Sequence, residues 1–93
     1  MIKSFADRDT EFLWNGKTVR RFGSLVRRRM LDKLQILHAA AVLDDLRTPP
    51  GNKLETLSGN RKGQYSIRVN DQWRVCFRWH GMHAYDVEIV DYH

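Results

Sequence analysis

The chain holds one cysteine, Cys76, two prolines, Pro49 and Pro50, and no long apolar run. A lone thiol can form no internal disulfide and no cysteine-rich metal site. Cys76 falls within an alternating segment, where a buried and inert thiol is expected. No stretch reaches the ~20 apolar residues of a membrane span. The opening residues Met1 to Asp9 lack the apolar run of a signal peptide. A cytoplasmic protein without membrane association is expected. His38, His80, His83 and His93 do not stand at metal-ligand spacing with carboxylates. A Gly-rich phosphate loop, a Gly-x-Ser-x-Gly elbow and a protease-type Cys–His pair are also missing. Neither a metal nor a cofactor is therefore expected, and repeats and linkers are absent too.

What the chain does hold is charge of one sign. Sixteen Lys and Arg stand against eleven Asp and Glu, a net charge of +5 on 93 residues. Such a surface favours polyanions, whether nucleic acid or an acidic partner, over and above ordinary solubility. With 42% hydrophobic residues the chain is built to fold. Its length suits a single domain over residues 1–93 with one modest core.

The apolar pattern changes period midway. Residues 2–5 suggest a short initial strand, and 10–14 a short helix capped by Asp9 and stopped by Gly16. Phe22, Val26, Met30, Leu34, Leu37 and Ala41 recur at helical steps of four and three. Ser24 is the candidate cap of this helix. The apolar run shifts register around residues 39–43 and continues to Leu46, as a bent helix or a second short one. Pro49 and Pro50 end it. Beyond them, a short strand lies around residues 54–57 and a turn spans 59–63. Tyr65, Ile67 and Val69 then alternate with polar residues. So do Trp73, Val75, Phe77 and Trp79, and then Tyr85, Val87 and Ile89. Strands joined so tightly pair antiparallel. The expected class is α+β, with N-terminal helices packed on one face of a small antiparallel sheet. The other face, with Ser66, Arg68, Arg74 and Arg78, is expected to be open and cationic, its arginines lacking evident acidic neighbours.

RNA can be cut without a metal if a protein meets three demands. It must take a proton from the 2′-hydroxyl, stabilise charge on the phosphate and help the 5′-oxygen leave. Arginine serves the second demand, because its planar fork stays ionised and matches phosphate oxygens. Arg68 and Arg74 on the strands, and Asp91, Tyr92 and His93 at the end, are the right types. A structural reading competes: a wet sheet face and a frayed tail look the same by composition. A second basic surface, Arg20, Arg21, Arg27, Arg28, Arg29 and Lys33, is either a solvated helix face or a contact for RNA backbone.

Three stretches carry a family resemblance. They are residues 50–61 (PGNKLETLSGNR), 66–77 (SIRVNDQWRVCF) and the ending 87–93 (VEIVDYH), with the opening MIKSF in support. This ordered set resembles the HigB family of plasmid-maintenance killer proteins in the RelE superfamily, and within it the chromosomal GraT-like branch. The resemblance implies a RelE-like fold and a type II toxin that enters the ribosomal A site. There it would cut translated messenger RNA through the RNA's own 2′-hydroxyl, without a metal. It also implies a HigA-type antitoxin with a helix-turn-helix domain, and operator DNA bound only through the complex. Arg74 matches the family's phosphate-contacting strand arginine, and Arg68 sits where related enzymes place a basic residue. Asp91, Tyr92 and His93 match the terminal catalytic positions. Some plasmid-borne members have histidine at Glu55 and lysine at Ser58. Glu55 is thus an altered candidate base, and a carboxylate of ordinary pKa, ~4.3, is a weak one. His93 or Asp91 is the alternative. Arg61, Lys62 and Arg78, with Arg20, Arg27 and Arg28, are the expected RNA contacts. Rival readings are a ParE-like gyrase inhibitor, a non-catalytic RNA binder and a domain docking an acidic protein.

Overall fold

The two periods in the sequence become two layers. In the computed structural model, which describes residues 1–92, α1 (Arg8–Trp14) and α2 (Ser24–Ala39) pack on one face of a four-stranded sheet. The strands are β1 (Glu55–Thr56), β2 (Tyr65–Arg68), β3 (Trp73–His80) and β4 (His83–Asp91). They lie in the order β1-β2-β3-β4, and all neighbours are antiparallel. This is the expected α+β arrangement. His93 lies outside the described residues.

The long helix buries Met30, Leu34 and Leu37 as their spacing predicts, with Val26 packed against them, whereas Phe22 is buried from the turn that precedes the helix. Ala41 departs from that pattern. α2 ends at Ala39, the extended Ala40 turns inward, and Ala41 is exposed. The register shift is therefore a break, followed by a 3-10 turn, Leu43–Arg47, that buries Leu46.

The helix starts also differ from expectation. Asp7 and Gly23 flank the helices in place of Asp9 and Ser24, and neither makes a side-chain capping bond. The carboxylates of Asp7 and Asp9 instead accept from Arg21, at 3.1 and 2.7 Å. An ionised donor is a stronger partner than a neutral backbone amide. Gly16 does stop α1, with the positive φ of 86° that glycine tolerates.

The expected initial strand is two parallel bridges beside β4, Ile2 to Ala84 and Phe5 to Val87. Within β4 the alternation breaks. Cys76 faces Glu88 but Arg78 faces Tyr85, and Asp86 has a φ of 53°. A bulge of this kind reverses the inside–outside pattern. Ala84, Val87 and Ile89 are buried, and Tyr85, expected in the core, is only half-buried.

The largest correction concerns the sheet's polar face, which is not open. Ser66, Arg74 and Cys76 are all buried. Lys53 and Arg61 lie against this face from the segment that precedes β2, and Tyr92 lies against it from the end of β4.

Candidate active site

The alternation that sends Trp73, Val75 and Phe77 into the core turns Arg74 to the opposite face. Only 6% of Arg74 remains exposed. A cation so buried must be paired and hydrogen-bonded. Its Nε donates to Ser66 Oγ at 2.8 Å, and its Nη2 donates to the Lys53 carbonyl at 2.7 Å. Lys53 is in the left-handed region, with a φ of 45°. That conformation costs on the order of 1 kcal/mol, and it belongs to the residue whose carbonyl receives the charged donor. Glu55 of β1 adds a carboxylate oxygen 3.7 Å from Nη2.

The end of the chain closes over this arginine. Asp91 is the ladder partner of Trp73 and accepts from Gln72 Nε2 at 3.1 Å. The Tyr92 amide donates to the Gln72 carbonyl at 2.6 Å. These bonds set the Tyr92 ring 5.5 Å from the Arg74 guanidinium carbon, while Tyr92 stays 42% exposed. One side of the ring can thus hold the cation while the rest remains open to a ligand.

Arg68 stands directly opposite Arg74 across the β2–β3 ladder. Like charges in that position repel. Arg68 Nη2 is bonded to the fully exposed Asp71. From the other side comes Lys33 of α2, whose Nζ donates to Asn52 Oδ1 at 2.5 Å. Asn52 is completely buried, and its Nδ2 donates to the carbonyls of Leu46 and Thr48.

Burial lowers the Lys33 pKa below 10.5, with the charges of Arg29 and Arg68 adding to the effect and Asp32 opposing it. The unfolded chain therefore binds this proton more tightly than the folded one. Stability should rise with pH between the lowered value and 10.5. A Lys33→Met variant should show a shallower rise in urea midpoint over that window. Equal slopes for the two proteins would contradict the linkage.

Other expected residues lie at the margin or elsewhere. Arg61 pairs with Glu88 at 3.2 Å, on the row of Cys76, and Lys62 is exposed beside it. Burial raises the Cys76 thiol pKa, which keeps it protonated and inert as expected. Arg78 pairs with Asp86 at 3.5 Å. It lies four residues along β3 from Arg74, roughly 13 Å at strand rise. Arg28 pairs with Asp32, Arg27 donates to the Gly16 carbonyl, and Arg20 is exposed. None of these three has a described contact with Arg68 or Arg74. The strand arginines, expected to lack acidic neighbours, have Asp71, Glu55 and Asp86.

The structure thus gathers Arg68, Arg74, Glu55 and Tyr92. Asp91 pairs with the core-facing Trp73, so its strand position faces away from Arg74, and His93 lies outside the described residues. The structure adds Ser66, Asn52, the Lys53 carbonyl and Gln72, which sequence reasoning did not name as functional. Ser66 shares the strand period of Arg68 and Arg74, but Asn52, Lys53 and Gln72 lie in loops and turns that no period marks. Lys33 was legible only as one of six helical cations.

A clamped arginine, a facing arginine and flanking acidic and aromatic groups suit an anionic substrate. With the helices layered on the sheet's far face, they form one small α+β unit. Solved structures share the fold. A YafQ mutant from E. coli matches with a TM-score of 0.68 at 14% identity, over 98% of this chain and 91% of that one. A chain of the YoeB-YefM complex from Staphylococcus aureus matches with a TM-score of 0.62 at 15% identity, over 100% of this chain and 98% of that one. The chain belongs to the HigB-like toxin family, described as RelE-like toxins of the type II toxin-antitoxin system HigB, which matches residues 3–93. It is 45% identical over 80 residues to Toxin HigB-1 of Vibrio cholerae, covering 85% of this chain and 84% of that one. It is 31% identical to Endoribonuclease HigB of Proteus vulgaris over the full length of both. The protein is accordingly the toxin of a toxin–antitoxin pair, and an antitoxin is its partner. Among the described residues no helix is long and apolar enough to cross a membrane.

Proposed function

We propose that this toxin cuts translated messenger RNA in the ribosomal A site. Endoribonuclease activity itself follows from membership of the HigB-like family. The observation that carries the site assignment is the clamped Arg74, buried among Ser66, Lys53 and Glu55 beneath an exposed aromatic ring. A guanidinium held by its Nε and Nη2 cannot reorient, so its charge is in place before the phosphate arrives. Preorganised charge of this kind is the largest single contribution an enzyme makes to such a step.

In the reaction, the 2′-oxygen attacks the adjacent phosphorus and the bond to the 5′-oxygen breaks. The products are a 2′,3′-cyclic phosphate and a free 5′-hydroxyl. Arg74 and Arg68 hold the phosphate and stabilise its added charge. His93 or Asp91 takes the 2′-proton, and Glu55, beside Arg74, is the other candidate base. One of these acids returns a proton to the leaving oxygen. Tyr92 stacks on a base, as aromatic side chains do with unpaired RNA. Arg61 and Lys62 follow the strand, while Arg78 and the helical Arg20, Arg27 and Arg28 meet backbone farther away. The partner in the cell is a helix-turn-helix antitoxin of the HigA type, and operator DNA is met only through that complex. The compartment is the cytoplasm.

The test is in vitro translation of a defined message with purified ribosomes, with RNA ends mapped by primer extension. New ends inside codons should appear only when toxin and ribosomes are both present. Arrested translation without new ends would replace the nuclease with an occluding binder. An inert protein in this assay would direct attention to gyrase.

A further inference from the structure

We propose that Lys33, with Arg29 and Arg68, forms a second phosphate subsite that grips a neighbouring phosphate of the same RNA strand. The proposal rests on the RNA-cleaving reading above and extends its site onto α2. Lys33 and Arg74 are tied to consecutive residues of one loop. Lys33 Nζ meets the Asn52 side chain at 2.5 Å, and Arg74 Nη2 meets the Lys53 carbonyl at 2.7 Å. Consecutive Cα atoms lie about 3.8 Å apart, so one rigid turn spaces the two cations.

That turn is not free to drift. Asn52 is fully buried, its Nδ2 is taken by two carbonyls, and its own amide donates to Pro49. Its Oδ1 is thereby aimed at Lys33. An uncharged donor could satisfy Oδ1 equally well. The fold instead holds an ammonium where the charges of Arg29 and Arg68 both act against it. The neighbouring acids offset this only partly. Asp71 is fully exposed, where solvent screens its pull on Arg68, and Asp32 is paired with Arg28. Arg29 stands one helical turn before Lys33 on α2, and Arg68 faces Arg74 across the ladder, so an anion placed beside Lys33 is stabilised by more than one cation. Next to a residue set for the scissile phosphate, that anion is an adjacent phosphate of the same strand.

Lys33→Gln keeps a donor for Asn52 and removes the charge, and Lys33→Arg keeps the charge. Single-turnover cleavage on programmed ribosomes, at increasing toxin concentration, separates binding from chemistry. Lys33→Gln should raise the half-saturating concentration about tenfold, the worth of one charge-assisted contact. It should barely change the maximal rate, and Lys33→Arg should recover most of the loss. Messages carrying a neutral methylphosphonate at the linkage 5′ or 3′ to the cut identify the contact. With one of the two, wild type should weaken by a similar factor and Lys33→Gln should lose no more. This arm uses wild type too, so it holds even if Lys33→Gln folds poorly. Equal half-saturation of wild type and Lys33→Gln, or a wild type indifferent to both methylphosphonates, would remove the subsite and leave the nuclease intact. A wild type that cuts nothing would remove both.

Discussion

Arg74→Ala should slow message cleavage by about a hundredfold or more, the usual cost of removing one preorganised charge stabiliser. Position is what makes the loss so large. Arg74 is held by Ser66 and Lys53 at 2.8 and 2.7 Å and is nearly inaccessible to water, so neither a neighbour nor solvent can take its place. The substitution also has a structural cost. It leaves the Lys53 carbonyl without its donor, and one such buried group costs about 1–3 kcal/mol. Rates must therefore be compared at a temperature where circular dichroism shows both proteins folded. Arg74→Lys separates the two effects. It restores the charge, but a single ammonium lacks the fork that reaches Ser66 and Lys53 while facing a phosphate. Partial recovery, well short of wild type, is the expected result. If folded Arg74→Ala cut at the wild-type rate, the phosphate would have to be held elsewhere and this site assignment would fail.

Phe77→Ala should destabilise the fold by about 3–5 kcal/mol, the range for emptying a buried aromatic position. Phe77 is wholly buried on the core face of β3, and its ring meets those of Tyr65 and Trp79 at 6.1 and 6.4 Å. Small domains have only about 5–15 kcal/mol in total, so the loss should be visible as a large drop in urea midpoint. The consequence for the site is indirect. β3 carries Phe77 on one face and Arg74 on the other, so activity should fall in step with the folded fraction. A folded, stable and inactive Phe77→Ala would instead mean that the ring tunes the site through the strand. A midpoint within experimental error of wild type would show that the cavity collapses without penalty.

Much of this was legible in the sequence, for a simple reason. Helical steps from Met30 to Leu37 and strict alternation from Tyr65 to Phe77 are responses to one core, and each declares which side faces it. Net positive charge and the strand arginines declared an anionic substrate. Local competition was less legible. Arg21 drew Asp7 and Asp9 away from capping, which spacing along one helix cannot reveal. The bulge at Asp86 reversed the facing of Tyr85, because one extra residue is enough to invert a period of two.

The sequence by itself determined the layers, the strand order's antiparallel sense, the core-facing residues of α2 and β3, and the family. These depend on periodicity and on ordered motifs, both of which are local. Only the tertiary structure decided that the sheet's polar face is covered, that Arg74 is clamped, and that Lys33 shares a loop with it. Those facts depend on where residues 49–62 settle after folding. A loop held by Asn52 and Lys53 brings together groups from α2, β1, β2, β3 and the chain end, distant in sequence and without a shared period.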